Sequence, residues 1–181
     1  MTTFATRENG RCEARLRLPT GFGSALGNKE LAEVVLEAVR MLDDGELNPP
    51  LSPATAPAFR PRVMLAMLTY CYAIGVYSSK DVEEMMYVDA PFRALCGMEY
   101  PDWKRLKRFR RDNHPALERT LEETFSRIWI LHETPSQTRA DEPSNGHSSN
   151  GLREPARQGW FLIEAQSRIE QAMFIDHMTD V

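Results

Sequence analysis

A dense basic cluster occupies residues 101–111, which read PDWKRLKRFRR. Six of the eight residues from Lys104 to Arg111 are cations, although the whole chain carries a formal net charge of −4. The cluster is therefore a local feature of an acidic chain. Cations spaced along a surface can neutralise the phosphates of a nucleic acid and release the counterions bound there. The chemistry that this segment indicates is electrostatic binding of a polyanion.

The same segment has the periodicity of a short helix with two different faces. Asp102 can cap a helix that begins at Trp103, and its carboxylate suits the positive end of the helix dipole. Three apolar residues recur at a spacing of three and predict the inward face, namely Trp103, Leu106 and Phe109. The cations predicted to point outward are Lys104, Lys107, Arg108 and Arg111. Arg105 and Arg110 lie toward the flanks, where they can pair with acidic neighbours.

A short basic helix of this kind fits a groove of double-stranded DNA. Arg108 and Arg111 are the candidates for reading bases, because a guanidinium can grip guanine through two hydrogen bonds, whereas the lysines suit phosphates. The full candidate DNA-binding set adds a secondary basic pair and comprises Lys104, Arg105, Lys107, Arg108, Arg110, Arg111, Arg60 and Arg62. The simpler interpretation is a solvated surface helix, which is what most charge runs are.

No residue pattern indicates catalysis, a metal or a cofactor. The histidines are scattered along the chain at His114, His132, His147 and His177. The cysteines, Cys12, Cys71 and Cys96, show no Cys-x-x-Cys spacing, which predicts buried thiols and no zinc site or disulfide framework. The acidic pairs Glu83-Glu84 and Glu122-Glu123 fall on helix surfaces by period and are interpreted as solvated charge. The sequence thus predicts a protein that is not an enzyme.

The elements around the basic cluster predict an all-α helical bundle with a short N-terminal arm or strand. Residues 1–27 form the arm, within which RCEARLRL at 11–18 alternates strictly between charged and apolar residues, as strands do. The helical domain spans 28–132. Its first helix, capped by Asn28 and running to about Leu42, is followed by a proline-rich loop. The apolar stripe of this helix is Leu31, Val34, Val35, Ala38, Val39 and Leu42.

The segment that begins at Pro61 and ends at Gly75 is apolar almost all round, which predicts a helix buried in the middle of the bundle. A helix from Ser78 or Ser79 and a short helix or turn near Pro91 come next. Pro115 ends the basic helix and starts another. The tyrosines interpreted as core residues are Tyr70, Tyr72, Tyr77 and Tyr87.

Residues 133–158 are polar and rich in proline, serine and glycine, which predicts a disordered linker. Residues 159–181 then regain helical periodicity and predict an amphipathic helix that packs on the bundle or on another chain. Its stripe is Leu162, Ala165, Ile169, Ala172, Met173 and Asp176. No segment resembles a signal peptide or reaches the length of about 18 apolar residues that crosses a bilayer. A cytoplasmic protein without a membrane partner is expected.

From Leu31 through Ile128, about half of the chain, the sequence resembles the N-terminal domain of bacterial insertion-sequence transposases of the IS1182-like and IS5-like type. The motifs that carry the resemblance are a Pro-Arg-x-Met-Leu start, an apolar helix closed by Gly75-Val76-Tyr77-Ser78-Ser79, an Asp-x-Pro-Phe-Arg turn at Asp89–Arg93 and an Arg-Phe-Arg-Arg close. The resemblance implies an all-helical, helix-turn-helix-like domain that binds the terminal DNA of a mobile element.

The chain departs from that family in two ways. The run from Pro101 to Leu106 is more basic and bulkier than the family's usual small polar run. The ribonuclease-H-like domain, which carries three metal-binding carboxylates in full transposases, has no counterpart here, so no catalytic residues are carried over. The predicted function is therefore a non-catalytic DNA-binding protein derived from a transposase by truncation, splitting or domestication. Its expected partners are double-stranded DNA and either a second copy or a catalytic transposase. The alternative is a helical protein–protein interaction or dimerisation module without DNA binding.

Overall fold

The computed structural model describes residues 27–48, 59–97, 99–133 and 154–179. Three predicted segments lie mostly outside these residues. They are the arm at 1–27 with its strand at 11–18, the proline-rich loop, and the linker predicted at 133–158. Within the described ranges the chain forms seven α-helices and no strand, which confirms the all-α prediction. The helices are α1 Asn28–Arg40, α2 Pro61–Ile74, α3 Ser79–Val88, α4 Ala90–Cys96, α5 Trp103–Asp112, α6 His114–Glu133 and α7 Glu154–Met178.

Helix α2 is the centre of the bundle. Pro61 stands in its first turn, where the missing N–H costs nothing, and Gly75 ends it in the left-handed conformation with φ of 90°. Every residue from Met64 to Ala73 is buried, as the all-round apolar sequence predicted. Helix α2 contacts α1, α3, α4, α5 and α6, so five helices pack around this central helix.

Helix α7 packs against α6 and contributes to the same core. Its buried apolar residues recur at helical spacing and are Phe161, Ala165, Ile169 and Ala172. Of the two arrangements left open by the sequence, the structure therefore shows packing on the bundle. The helix begins at Glu154, which is five residues before the predicted start at Gly159.

Two arginines close the carboxyl ends of helices. Arg62 donates from Nη1 to the carbonyl oxygen of Val39 and from Nη2 to that of Leu42, both at 2.7 Å. Arg168 on α7 donates from Nη1 to the carbonyl oxygens of Tyr72 and Ala73, at 2.6 and 2.9 Å. The last carbonyls of a helix lack intrahelical donors and carry partial negative charge, so a guanidinium stabilises them in both respects.

Other sequence interpretations need correction at single residues. Gly27, not Asn28, is the N-cap residue of α1. Tyr70 and Tyr72 are buried as predicted, but Tyr87 is 63% exposed and stacks on Tyr100. Tyr87 follows Met86 by one residue, which turns it about 100° away from the face of α3 that reaches the core.

Replacing Leu68 with Asp tests the central position of α2. Leu68 is fully buried, so the substitution places an unpaired charge in the core and should cost about 4 kcal/mol or more, enough to abolish cooperative unfolding. Urea denaturation followed by circular dichroism measures this. Leu36→Asp, on the exposed side of α1, is the matched control and should still unfold cooperatively. A Leu68→Asp protein with the wild-type transition would contradict the assigned core.

Candidate nucleic-acid interface

Helix α5 starts between two carboxylates. The Arg105 N–H donates to Asp102 Oδ1 at 2.9 Å, which confirms Asp102 as the cap. The Trp103 N–H donates to Oε2 of Glu83 on α3 at 3.1 Å. Glu83 is therefore not merely the solvated charge that the sequence suggested, because it satisfies an orphan donor of α5 and favours the positive end of the helix dipole.

The inward face of α5 follows the prediction at Leu106 and Phe109, which are both buried. Trp103 is only partly buried. The ammonium groups of Lys80 and Lys104 lie 5.2 and 5.4 Å from the centre of its ring, within the range of cation–π attraction. The indole therefore attracts two lysine side chains, one from α3 and one from α5.

The outward face of α5 forms a shallow groove of about 270 Å³, lined by Trp103, Lys104, Lys107, Arg108 and Arg111. Lys104, Arg108 and Arg111 are exposed. Arg108 and Arg111 both approach Asp112, with Nε to carboxylate distances of 3.5 and 3.3 Å. Exposed pairs of this kind contribute little and can exchange partners. Lys107 is half-buried, and its Nζ donates to the carbonyl oxygen of Asp176 at 3.5 Å.

The remaining candidate residues already have partners inside the protein. Arg105 pairs with Asp102 at 3.4 Å and stacks over the ring of Phe59. Arg60 pairs with Glu99, while Arg62 closes the end of α1 as described above. The fold thus provides a partner for each of these three guanidinium groups, and the exposed pair of Arg60 contributes little to stability.

Arg110 requires the clearest correction among the predicted DNA contacts. Its side chain is 2% exposed, so it does not belong to the surface of α5. Its Nη2 lies 2.7 Å from Oδ2 of Asp176 on α7, which is also buried. Its Nη1 donates to the hydroxyl oxygen of Tyr72 at 2.8 Å. Arg110 pairs with an acidic residue, as the sequence analysis suggested. Because its side chain is buried, it is not available on the surface of α5 for the predicted DNA contact.

Asp176 connects three helices through this pair. One carboxylate oxygen accepts from the backbone N–H of Ser79 at 2.8 Å, and the other accepts from the Ser79 hydroxyl and from Arg110. Burial raises the pKa of the Tyr72 hydroxyl, against the opposing effect of Arg110, so it remains a neutral partner. Burial alone would lower the pKa of Arg110, but Tyr72 and Asp176 outweigh it and raise that pKa. The cation is thus kept charged in the core.

The sequence contained a signal for this pair that composition alone obscures. Leu106 is followed at helical spacing by Arg110, and the stripe Ala165, Ile169, Ala172 continues to Asp176. A charged residue at the next core position of each of two helices indicates a buried ion pair between them, because neither charge is stable alone in an apolar environment. The high local density of cations in 104–111 concealed the special position of Arg110.

The carboxyl end of α5 is also held. Buried Asn113 accepts at Oδ1 from the Asn48 N–H at 2.6 Å and donates to the Asn48 carbonyl oxygen at 3.2 Å. The Asn48 side chain in turn donates to the Asp112 carbonyl oxygen at 2.7 Å. Both ends of the helix and its inward face are therefore held, which fixes the backbone positions of the outward cations.

The other side chains that could carry chemistry in the described part of the chain are acidic residues and cysteines. Among these residues no group of three or more His, Cys, Asp or Glu side chains could hold a metal ion. Cys71 and Cys96 are free and buried, as predicted, and burial raises the pKa of the Cys96 thiol to about 12. Burial, together with Glu118 and Glu123, raises the pKa of Glu122. Within the described ranges no helix has the length and apolar character needed to cross a bilayer.

Part of the chain matches a known protein family. Residues 29–112 match a family model described as Transposase domain (DUF772). Residues 29–112, here called the transposase-related domain, are similar to that family. No curated protein and no solved structure matches the chain. The matched segment, just under half of the chain, begins in α1 and ends with the last residue of α5. Arg110 therefore lies inside the transposase-related domain, and its partner Asp176 lies outside it.

Breaking the Arg110–Asp176 pair should destabilise the protein strongly. Arg110→Met or Asp176→Asn leaves an unpaired buried charge, and each should lower the free energy of unfolding by about 3–5 kcal/mol. The double variant removes both charges and should lose less than the two single losses added together. Urea denaturation provides these values. Arg108→Met, which breaks an exposed pair on the same helix, is the control and should cost about 1 kcal/mol or less. Strict additivity in the cycle would show that the pair is not coupled.

Proposed function

We propose that this protein binds double-stranded DNA through the outward face of α5 and does so without catalysing a reaction. The observation that carries the proposal is the combination of exposed Lys104, Arg108 and Arg111 on a helix whose core face and both ends are anchored. Cations held at fixed backbone positions bind phosphates with less loss of conformational entropy than cations on a mobile backbone. The transposase-related domain supports a role on the DNA of a mobile element.

Within this proposal, α5 is the recognition element of a helix-turn-helix-like unit, and the protein is a cytoplasmic relative of transposases. Lys104 and the half-buried Lys107 would contact phosphates. Arg108 and Arg111 would exchange Asp112 for phosphates or guanine edges. Because these exposed pairs with Asp112 contribute little, exchanging the carboxylate for a phosphate costs little.

A second candidate is an interaction module that pairs with another copy or with a catalytic transposase. Its support is a set of exposed apolar side chains on the outer side of α7, where Ile163 and Phe174 are each 65% exposed. Such side chains are common at interfaces, although singly scattered ones are also ordinary. The two candidates use different surfaces, and substitutions in α5 therefore separate them.

The binding of duplex DNA, followed by fluorescence anisotropy, tests the first candidate. If Lys104, Lys107, Arg108 and Arg111 each neutralise one phosphate, the logarithm of the association constant should fall with the logarithm of salt at a slope of about −3.6. Replacing the three exposed cations Lys104, Arg108 and Arg111 with Ala should reduce this slope to about −0.9, the contribution of Lys107. The matched control replaces the exposed cations Lys29, Arg40 and Arg93, which lie on α1 and α4, with Ala. It changes the net charge equally and should keep the slope. Equal binding by the two triple variants would refute the α5 interface.

The absence of catalysis is tested separately. With Mg²⁺ or Mn²⁺ and supercoiled plasmid, the purified protein should neither nick nor join strands, because the described residues provide no cluster that could hold the ion. Agarose gel electrophoresis detects both reactions. Cleavage that requires the metal and disappears when one particular carboxylate is replaced would show that the protein is an enzyme.

A further inference from the structure

A second groove lies between α1 and α6. It encloses about 640 Å³. Its apolar lining consists of Val34, Ile130 and Leu131, and its acidic lining consists of Glu30, Glu33 and Glu37. Arg127 also borders it, but its Nε is 2.6 Å from the Glu123 carboxylate. The groove thus combines an apolar floor with a rim of three carboxylates.

The three carboxylates repel one another. Glu33 and Glu37 stand one helical turn apart, a spacing at which like charges destabilise a helix. Glu37 pairs with Arg40 at 3.4 Å, but both side chains are at least half exposed, so the pair contributes little. Glu30 accepts from the Gly27 N–H at 3.3 Å. A ligand that suits this groove therefore carries several cations beside apolar groups.

The chain itself contains such a ligand directly before α1. Residues 11–18 read RCEARLRL, in which apolar residues alternate with charged ones, three arginines and Glu13, for a net charge of +2. We propose that this segment of the arm docks into the groove between α1 and α6 of its own chain. Cys12, Ala14, Leu16 and Leu18 would cover the apolar floor. Arg11, Arg15 and Arg17 would reach the carboxylates on the rim, since an arginine stem can lie along apolar surface while its head stays at the polar edge.

The connection is long enough for this docking. The described chain starts at Gly27, the residue before α1, and nine residue steps separate it from Leu18. Nine extended residues span about 30 Å. Helix α1 rises only about 10 Å between Glu30 and Glu37. The arm therefore reaches the whole groove, and the covalent link holds its effective concentration there in the millimolar range.

The charge of the groove also argues against other ligands. Three carboxylates repel nucleic acid, so this surface differs from the outward face of α5 in sign and in expected partner. The proposal does not depend on DNA binding. The competing occupant is the arm of a second copy, which the test distinguishes.

Disulfide trapping with the natural Cys12 tests the docking. Val34→Cys places a thiol in the groove, and Leu131→Cys, at an exposed residue, provides a second position that leaves the core untouched. Cys71 and Cys96 are buried and, with raised pKa values, remain protonated thiols that react slowly. Arg93→Cys, exposed on α4, is the matched control. After mild oxidation with diamide, peptide mapping by mass spectrometry identifies the bonded pairs.

Both groove variants should form an intrachain disulfide with Cys12 at least about tenfold faster than Arg93→Cys does, because docking raises the local thiol concentration. Replacing Arg11, Arg15 and Arg17 with Glu should slow this reaction, and additional replacement of Glu30, Glu33 and Glu37 with Lys should restore it. Equal rates in the groove and control variants would overturn the proposal. A disulfide that links two chains would also overturn it, because the groove would then receive the arm of a second copy.

Discussion

The buried ion pair between Arg110 and Asp176 joins the transposase-related domain to the helix α7, which lies outside that domain. Arg110 belongs to the same helix as the exposed cations, and Asp176 belongs to the C-terminal helix. Their charges are shielded from water and are stabilised by each other, by Ser79 and by Tyr72. A buried charge without its partner is costly, so the rotation of α5 about its own axis depends on the packing of α7 against the bundle. That rotation decides which cations face outward.

Much of the fold could be predicted because local rules and tertiary packing agree. Pro61 and Gly75 mark the bounds of α2, and its all-round apolar sequence gives its central position. Asp102 caps α5, while Leu106 and Phe109 give its inward face. The start of α7 was less predictable. Its first turn, at 154–158, has the polar composition of the segment before it, and periodicity begins only when apolar residues recur at Trp160 and Phe161.

The candidate site was less predictable, because charge type does not reveal what a cation contacts. Six cations in 104–111 are equivalent as a sequence cluster, but the fold uses them differently. Arg110 is a core residue, Arg105 lies over Phe59, and Lys107 reaches a carbonyl of α7. Arg62 likewise closes a helix that precedes it by 20 residues or more. Each of these roles depends on a partner distant in sequence, which a pattern of neighbouring residues does not contain.

The separation of the ion pair along the chain also constrains how the protein is made. Arg110 and Asp176 are 66 residues apart, so Arg110 leaves the ribosome well before its partner is synthesised. Domains generally fold as units during synthesis, and contacts between distant residues form late. The transposase-related domain therefore emerges with an uncompensated cation, and α6, which follows it, is synthesised before α7 can cover it. Completion of the native core therefore waits for the C-terminal helix, and a nascent chain stalled before residue 176 exposes apolar surface to chaperones and proteases.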